Sequence, residues 1–197
     1  MFALPFFRRD LPVLKGERVI LRAPGGDDFA KWSTLRRESR AFLEPWEPAW
    51  AEDELDRSGW RKRLSRNRED IAQGVAYPFL IFDRNSTVLL GGITLSNIRH
   101  GVADSGNIGY WIGERHAGKG FMVDAVQLVA DYAFSTLRLH RVEAACIPGN
   151  NRSIRVLEKA GFQREGLLRS YLRINGNWRD HILYALIAGD PMSEAKD

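Results

Sequence analysis

Apolar and polar positions alternate first over residues 18–22, where Val19, Ile20 and Leu21 read as a short strand. The spacing then changes. Asp27 or Asp28 can cap a helix running to about Arg37, with Phe29, Trp32 and Leu35 near one face. Residues 42–50 carry two prolines and two tryptophans and read as a loop, and residues 52–73 fit a second helix. Three strand patterns follow over 77–83, 88–98 and 107–112, separated by polar turns. Beyond Gly120 the period lengthens: Met122, Val126, Val129, Ala130, Ala133 and Leu137 step by three and four, as a helix that buries one stripe does.

Residues 141–146 form another strand pattern and 150–160 a short helix, with Ile154, Leu157 and Ala160 inward and Gly161 as its left-handed cap. Two closing strands, 163–174 and 177–187, are joined by Asn175-Gly176, the pair that best suits a tight hairpin. There is no internal repeat and no linker. The order predicts one mixed α/β domain over 17–189, preceded by an arm at 1–16 and followed by a polar tail at 190–197.

Composition narrows the class. The chain has 197 residues, 44% of them hydrophobic, which excludes a disordered or fibrous polymer, and no apolar run reaches the roughly 20 residues of a membrane span. Cys146 is the single cysteine, so neither an internal disulfide nor a Cys-rich zinc site is available, and the histidines show no metal spacing. In residues 1–9 an apolar patch precedes the arginines and is broken by Pro5, the reverse of a secretion signal. The expected location is therefore the cytoplasm.

Twenty-nine basic against 25 acidic residues leave a net charge of +4, which favours an anionic partner. The densest basic stretch is Arg57, Arg61, Lys62, Arg63, Arg66 and Arg68. It reads as a solvated helix face or as a docking surface for an anionic partner such as a nucleotide, a ribosome or a nucleic acid.

The most informative stretch for chemistry lies between the strand ending at Ile112 and the helix after Gly120. Arg115, Ala117, Gly118, Lys119 and Gly120 fill the turn. Glycines there let successive N–H groups converge, a helix start adds unpaired donors and partial positive charge, and Arg115 and Lys119 add cations. Such a loop can cradle a pyrophosphate, or can simply turn. Farther on, Asn150 and Ser153 open a helix that ends in Lys159, Gly161 and Phe162. Alone, Asn and Ser at a helix start are caps.

Together, Arg-x-x-Gly-x-Gly entering a helix and, about thirty residues later, Asn-x-x-Ser and Lys-x-Gly-Phe resemble the GNAT superfamily of acetyl-CoA-dependent N-acetyltransferases. The likeness extends over about residues 17–188. Residues 42–48, Ser58-Gly59-Trp60, His140-Arg141, Glu165-Gly166 and 175–181 are similar to the Rim group, bacterial enzymes that acetylate the N-termini of ribosomal proteins.

The resemblance implies a mostly antiparallel sheet splayed at a central parallel strand pair and flanked by helices. It implies that Ala117, Gly118, Lys119, Gly120 and Phe121 offer N–H groups to the CoA pyrophosphate, and that Tyr110, Trp111 and Ile112 lie along pantetheine, with Ile112 N–H as oxyanion donor. Asn150 would hold pantetheine, and Ser153 would stand near the thioester sulfur. Glu44, Trp46 and Trp178 fall in the two walls of the acceptor site, where core packing under a long loop is an equally good reading; Asp180 and His181 would hold the acceptor backbone, although such residues more often pin a hairpin. The expected acceptor is the N-terminal alanine or serine of a ribosomal protein; no metal is implied, and monomer and homodimer both stay open.

Two positions depart from the family pattern. Leu157 stands where many relatives carry a tyrosine acid, and Leu172 where some carry a glutamate. Glu143 is the remaining candidate base. An α-amine suits such a site, because at neutral pH on the order of 10% of it is already unprotonated, against well under about 0.1% of a lysine. Two other functions fit as well: acetylation of a small amine, and a ribosome-associated CoA-binding module with little turnover.

Overall fold

The computed structural model describes residues 11–191. Eight strands form one sheet in the order β1-β2-β3-β4-β5-β6-β8-β7. They are β1 (Leu14–Lys15), β2 (Val19–Arg22), β3 (Tyr77–Asp83), β4 (Leu89–Arg99), β5 (Ser105–Ile112), β6 (Arg141–Cys146), β7 (Gln163–Ile174) and β8 (Asn177–Ile187). The helices are α1 (Phe29–Glu38), α2 (Arg40–Leu43), α3 (Arg57–Gln73), α4 (Phe121–Asp131) and α5 (Asn151–Lys159).

β3 is buried on both faces, which is why its pattern is an almost unbroken apolar run. Tyr77, Phe79 and Ile81 join the core beneath α4 and α5, whereas Leu80 and Phe82 join Trp32, Leu35, Trp60 and Leu64 of α1 and α3. Pro78 sits inside this central strand without cost, because β2 pairs with β3 only from Leu80 onward.

Every neighbouring pair is antiparallel except β5–β6. That parallel pair is joined only at Ser105, Gly106 and Asn107, opposite Arg141, Val142 and Glu143. Beyond those pairs the strands part, as the family resemblance implies, and the sheet opens into a wedge.

Several expectations shift in detail. A two-residue strand, β1, lies within the stretch expected to be an arm; it is too short for any alternation to reveal. The helix expected from residue 52 starts at Arg57, and the loop at 42–50 holds the end of α2 and a 3-10 turn over Glu44–Trp46. Asp28 does not cap α1 through its side chain. Its carboxylate instead accepts from the Gly25 N–H at 2.7 Å and from Arg22 at 2.6 and 2.8 Å. The helix after Gly120 ends in a π-helical turn, Tyr132–Thr136, where Tyr132 meets Tyr77 and Phe79 edge-on. Residues 1–10 of the expected arm and 192–197 of the expected tail lie outside the described residues.

Candidate active site

The wedge between β5 and β6 holds a cleft of about 780 Å³. One side is the free edge of β5. Gly113 N–H donates to the Leu90 carbonyl at 2.9 Å, and in the same register Trp111 faces Gly92. Hydrogen bonding alternates along an antiparallel ladder, so the N–H and C=O groups of Tyr110 and Ile112 point away from β4 and into the cleft. Both residues thus turn unpaired backbone groups to the edge along which the resemblance would lay pantetheine. The Trp111 indole turns to the other face of the sheet and packs with the α1–α3 cluster, crossing Gly92, where a Cβ would lie 2.5 Å from Nε1.

At the end of β5 the chain makes a 3-10 turn, Glu114–His116, and enters α4 through Gly118 (φ +78°) and Gly120 (φ +82°). Among the described residues no acceptor meets the N–H groups of residues 118–122, which leaves a row of free donors at a helix N-terminus. Ala117 does not belong to that row, contrary to expectation, because its N–H already donates to the Glu114 carbonyl at 3.1 Å. Phe121 packs its ring against the main core and contributes its amide. Arg115 is also turned aside: it pairs with Glu38 at 2.9 Å and donates to His116 at 3.1 Å. Lys119 is exposed.

A cation absent from the sequence reading takes the inner position. The Arg18 guanidinium binds Asp124 at 2.7 and 2.8 Å, approaches the Lys119 carbonyl at 3.4 Å, and would lie 2.7 Å from a Cβ at Gly120.

The other side of the cleft is the end of β6 and the start of α5. Asn150 caps α5, its Oδ1 accepting from the Ser153 N–H at 3.2 Å. The Ser153 hydroxyl and the Tyr110 phenol are 2.8 Å apart, and the phenol also donates to the Ser153 carbonyl at 3.3 Å. Burial holds the Tyr110 phenol well above its ordinary pKa, only partly offset by Ser153, so it stays protonated. Burial likewise pushes the Cys146 thiol up to about 11, with a hydrogen bond to Ser153 pulling the other way. Leu157 is fully buried in the core.

The side of the cleft that the resemblance assigns to the acceptor is built from residues 42–50 and the tip of the β7–β8 hairpin. The Asn175 N–H donates to the Glu47 carbonyl at 3.1 Å, tying the two walls together. Glu47 receives both Arg36 nitrogens at 2.6 and 2.8 Å and the Trp50 indole N–H at 2.8 Å, while Arg36 stacks between Trp50 and Trp111. No sequence pattern singled out this buried hub. Trp46 lines the cleft and a second hollow of about 540 Å³, shared with Glu44, Ile174 and Arg179. Glu44 also pairs with Arg40 at 3.1 Å. Trp178 is 64% exposed and lines neither cavity.

Two further expected residues are engaged elsewhere. Asp180 accepts the Ser170 N–H at 2.8 Å and so pins the bulge in β7. Glu143 lies at the closed end of the wedge, where Arg141 (2.7 Å) and Asn107 (3.4 Å) hold its carboxylate; Arg141 also binds Glu165. The geometry therefore does not bring Glu143 to the cleft.

Among the described residues no group of His, Cys, Asp and Glu has the arrangement of a metal site, and no helix is long and apolar enough to cross a membrane. The basic face of α3 is partly neutralised by ion pairs of Lys62 with Asp53 and Arg63 with Glu54, while Arg57 lies over the Phe29 ring and keeps its charge.

Comparison with known proteins agrees with this architecture. Residues 18–163 match the family model described as an acetyltransferase (GNAT) domain. The chain is 39% identical over 178 residues to the probable N-acetyltransferase YjcK of Bacillus subtilis, covering 90% of this chain and 98% of that protein. It is 35% identical over 186 residues to the [ribosomal protein uS5]-alanine N-acetyltransferase of Escherichia coli, covering 93% and 96%. The structure of Mycobacterium smegmatis RimJ in complex with CoA-disulfide superposes with a TM-score of 0.84 at 34% identity, covering 94% of this chain and 90% of that one. The chain thus belongs to the GNAT family and is an acetyl-CoA-dependent N-acetyltransferase.

Proposed function

We propose that this enzyme transfers acetyl from acetyl-CoA to the α-amine of a ribosomal protein, with alanine or serine as the first residue. The observation that carries the reading is the continuity of the cleft. It runs from the free amides at 118–121, along the exposed edge of β5, to a second opening walled by residues 42–48 and the β7–β8 hairpin. A pyrophosphate suits the first end and the amides of pantetheine suit an open strand edge. The second end receives the chain terminus. The name of the relative from Escherichia coli, a [ribosomal protein uS5]-alanine N-acetyltransferase, supports the same acceptor class.

Each step falls to groups already placed. Ile112 N–H faces the cleft and donates to the oxygen on which negative charge develops. Asn150 and the edge of β5 hold pantetheine in register, which fixes the thioester for attack. The Ser153 hydroxyl, supported by the neutral phenol of Tyr110, donates toward the departing sulfur. With Leu157 apolar and buried, the phenol beside Ser153 is supplied from β5 by Tyr110.

The test is incubation with acetyl-CoA and short peptides differing in residue one, beside a polyamine and an amino sugar, read by mass spectrometry. Acetyl on the α-amine of Ala- or Ser-initiated peptides is the expected result. Acetyl on small amines alone would overturn the ribosomal acceptor, and CoA binding without any transfer would favour a binding module.

A further inference from the structure

A proton acceptor for the amine is the part of this reaction that the residues named so far do not supply. Leu172 is apolar, Glu143 lies at the closed end of the wedge, and Glu47 is committed to Arg36 and Trp50. Glu114 borders the cleft from an exposed turn on the phosphate side. Among the described residues one titratable side chain on the proposed acceptor side is both buried and turned into the cleft, and it is His181.

Its position follows from register. Ile182 pairs with Cys146, the last residue of β6, so His181 stands one step beyond the end of β6, where the wedge opens. Ile182, Tyr184 and Leu186 face the core beneath α4 and α5. Side chains alternate along a strand, so His181 faces away from that core, and it lines the same cleft as Phe42, Leu43 and Trp46. Tyr110 and Ser153 meet on the α5 face. A proton acceptor and a proton donor thus flank the opening from opposite faces of the sheet.

The ring is also oriented. Nδ1 lies 3.0 Å from the Arg179 carbonyl, and a carbonyl can only accept, so Nδ1 carries the hydrogen. The Tyr171 ring meets the imidazole edge-on at 5.7 Å. In the neutral ring Nε2 then holds the lone pair. No group among the described residues bonds to Nε2, and it is not sealed away from solvent. A ring locked through one nitrogen with the other free toward a cleft is the arrangement of a general base.

We propose that His181 is the general base of this enzyme: its Nε2 takes a proton directly from the ammonium of the acceptor. The inference rests on the α-amine reading above. Nε2 gains the proton, and the freed lone pair attacks the thioester carbonyl carbon. The C–N bond forms and the C–S bond breaks. The second N–H proton passes to the thiolate through Ser153, and His181 returns its own proton to water. The products are the amide, CoA thiol and one proton.

The test compares wild type, His181→Gln and His181→Ala on an Ala-initiated peptide and on a small primary amine, from pH 6.5 to 9.5. The other charged side chains bordering the cleft are Glu47, Glu114, Arg152, Arg155, Lys159 and Arg173. At pH 7 the Gln variant should lose about 100-fold in kcat while binding CoA like wild type by calorimetry. That loss should shrink severalfold by pH 9.5, where an amine of ordinary pKa about 8 is already neutral, and added imidazole should restore part of the Ala variant's rate. A loss below about threefold at pH 7 would overturn the assignment. So would a loss equal at every pH with CoA affinity intact and no imidazole rescue, the signature of a merely structural histidine. Wild-type inactivity on the peptide would instead overturn the acceptor reading, and the histidine would still be judged on whichever amine reacts.

Discussion

A side chain added at position 118 would project into open space, whereas one at 120 would strike the Arg18 guanidinium. The two glycines therefore do different work, although both have positive φ. Gly118→Glu should weaken CoA binding about tenfold or more by calorimetry, and Gly118→Ala, which shares the left-handed strain of about 1–2 kcal/mol without the charge, should weaken it much less. Ser153→Ala should lower kcat by about 100-fold with little change in CoA affinity, and Tyr110→Phe in that background should add little more.

Asp28 offers a test by pH. Burial raises its carboxyl, but the Arg22 ion pair and the Gly25 amide outweigh it and hold the group below its ordinary value of 3.8. A depressed folded pKa means stability that is present above pH 4 and lost as pH falls through the folded value. Asp28→Asn should cost about 1–3 kcal/mol at pH 7 in denaturant melts, and its stability should fall less steeply than wild type's below pH 4. At this scale the sequence was partly legible. The turn at Gly118 and Gly120 followed from strand-turn-helix order and the backbone roles of Tyr110 and Ile112 only from family likeness, while the phenol of Tyr110 and the ring of His181 depend on which face of the sheet each meets.

Among elements, the junction of residues 42–50 with the hairpin decides the shape of the acceptor side. Glu47 holds the junction twice, through its carboxylate to α1 and through its carbonyl to Asn175. Removing the carboxylate leaves Arg36 buried with only Glu54, 3.9 Å away, as a distant partner. Glu47→Ala should cost about 3–5 kcal/mol in thermal or denaturant melts and raise the KM for peptide while sparing CoA affinity. The hairpin itself was readable: Asn175 (φ +44°) and Gly176 (φ +82°) both adopt the left-handed geometry its tight turn requires. The Arg36–Glu47–Trp50 hub was not, because a charged pair separated by a proline-rich loop has no period to betray it. The start of α3 was misplaced for a similar reason: Asp53 and Glu54 look helical yet serve as ion-pair partners for Lys62 and Arg63.

For the molecule as a whole, the mixed α/β class followed from the order of periods, and the wedge only from family likeness, since no local pattern marks where paired strands part. The wedge leaves polar backbone uncovered on β5, so a cofactor bound as proposed along that edge would complete the sheet as well as serve the reaction. CoA at 100 times its Kd should stabilise the fold by about 2.7 kcal/mol and raise Tm by about 5–10 °C, and hydrogen exchange should slow most at Tyr110 and Ile112.

The same geometry has a mechanical side. Five strands lie on one side of the seam and three on the other, and only three register pairs join β5 to β6. The sheet is thus two stiff plates on a narrow hinge, with the groups proposed for catalysis divided between them: Tyr110 and Ile112 on one plate, His181 on the other. The softest deformation is a change in the angle between plates. Its stiffness sets how sharply the distance from thioester to attacking amine is defined, so a substitution at the hinge, far from any reacting atom, would blur that distance without touching either substrate.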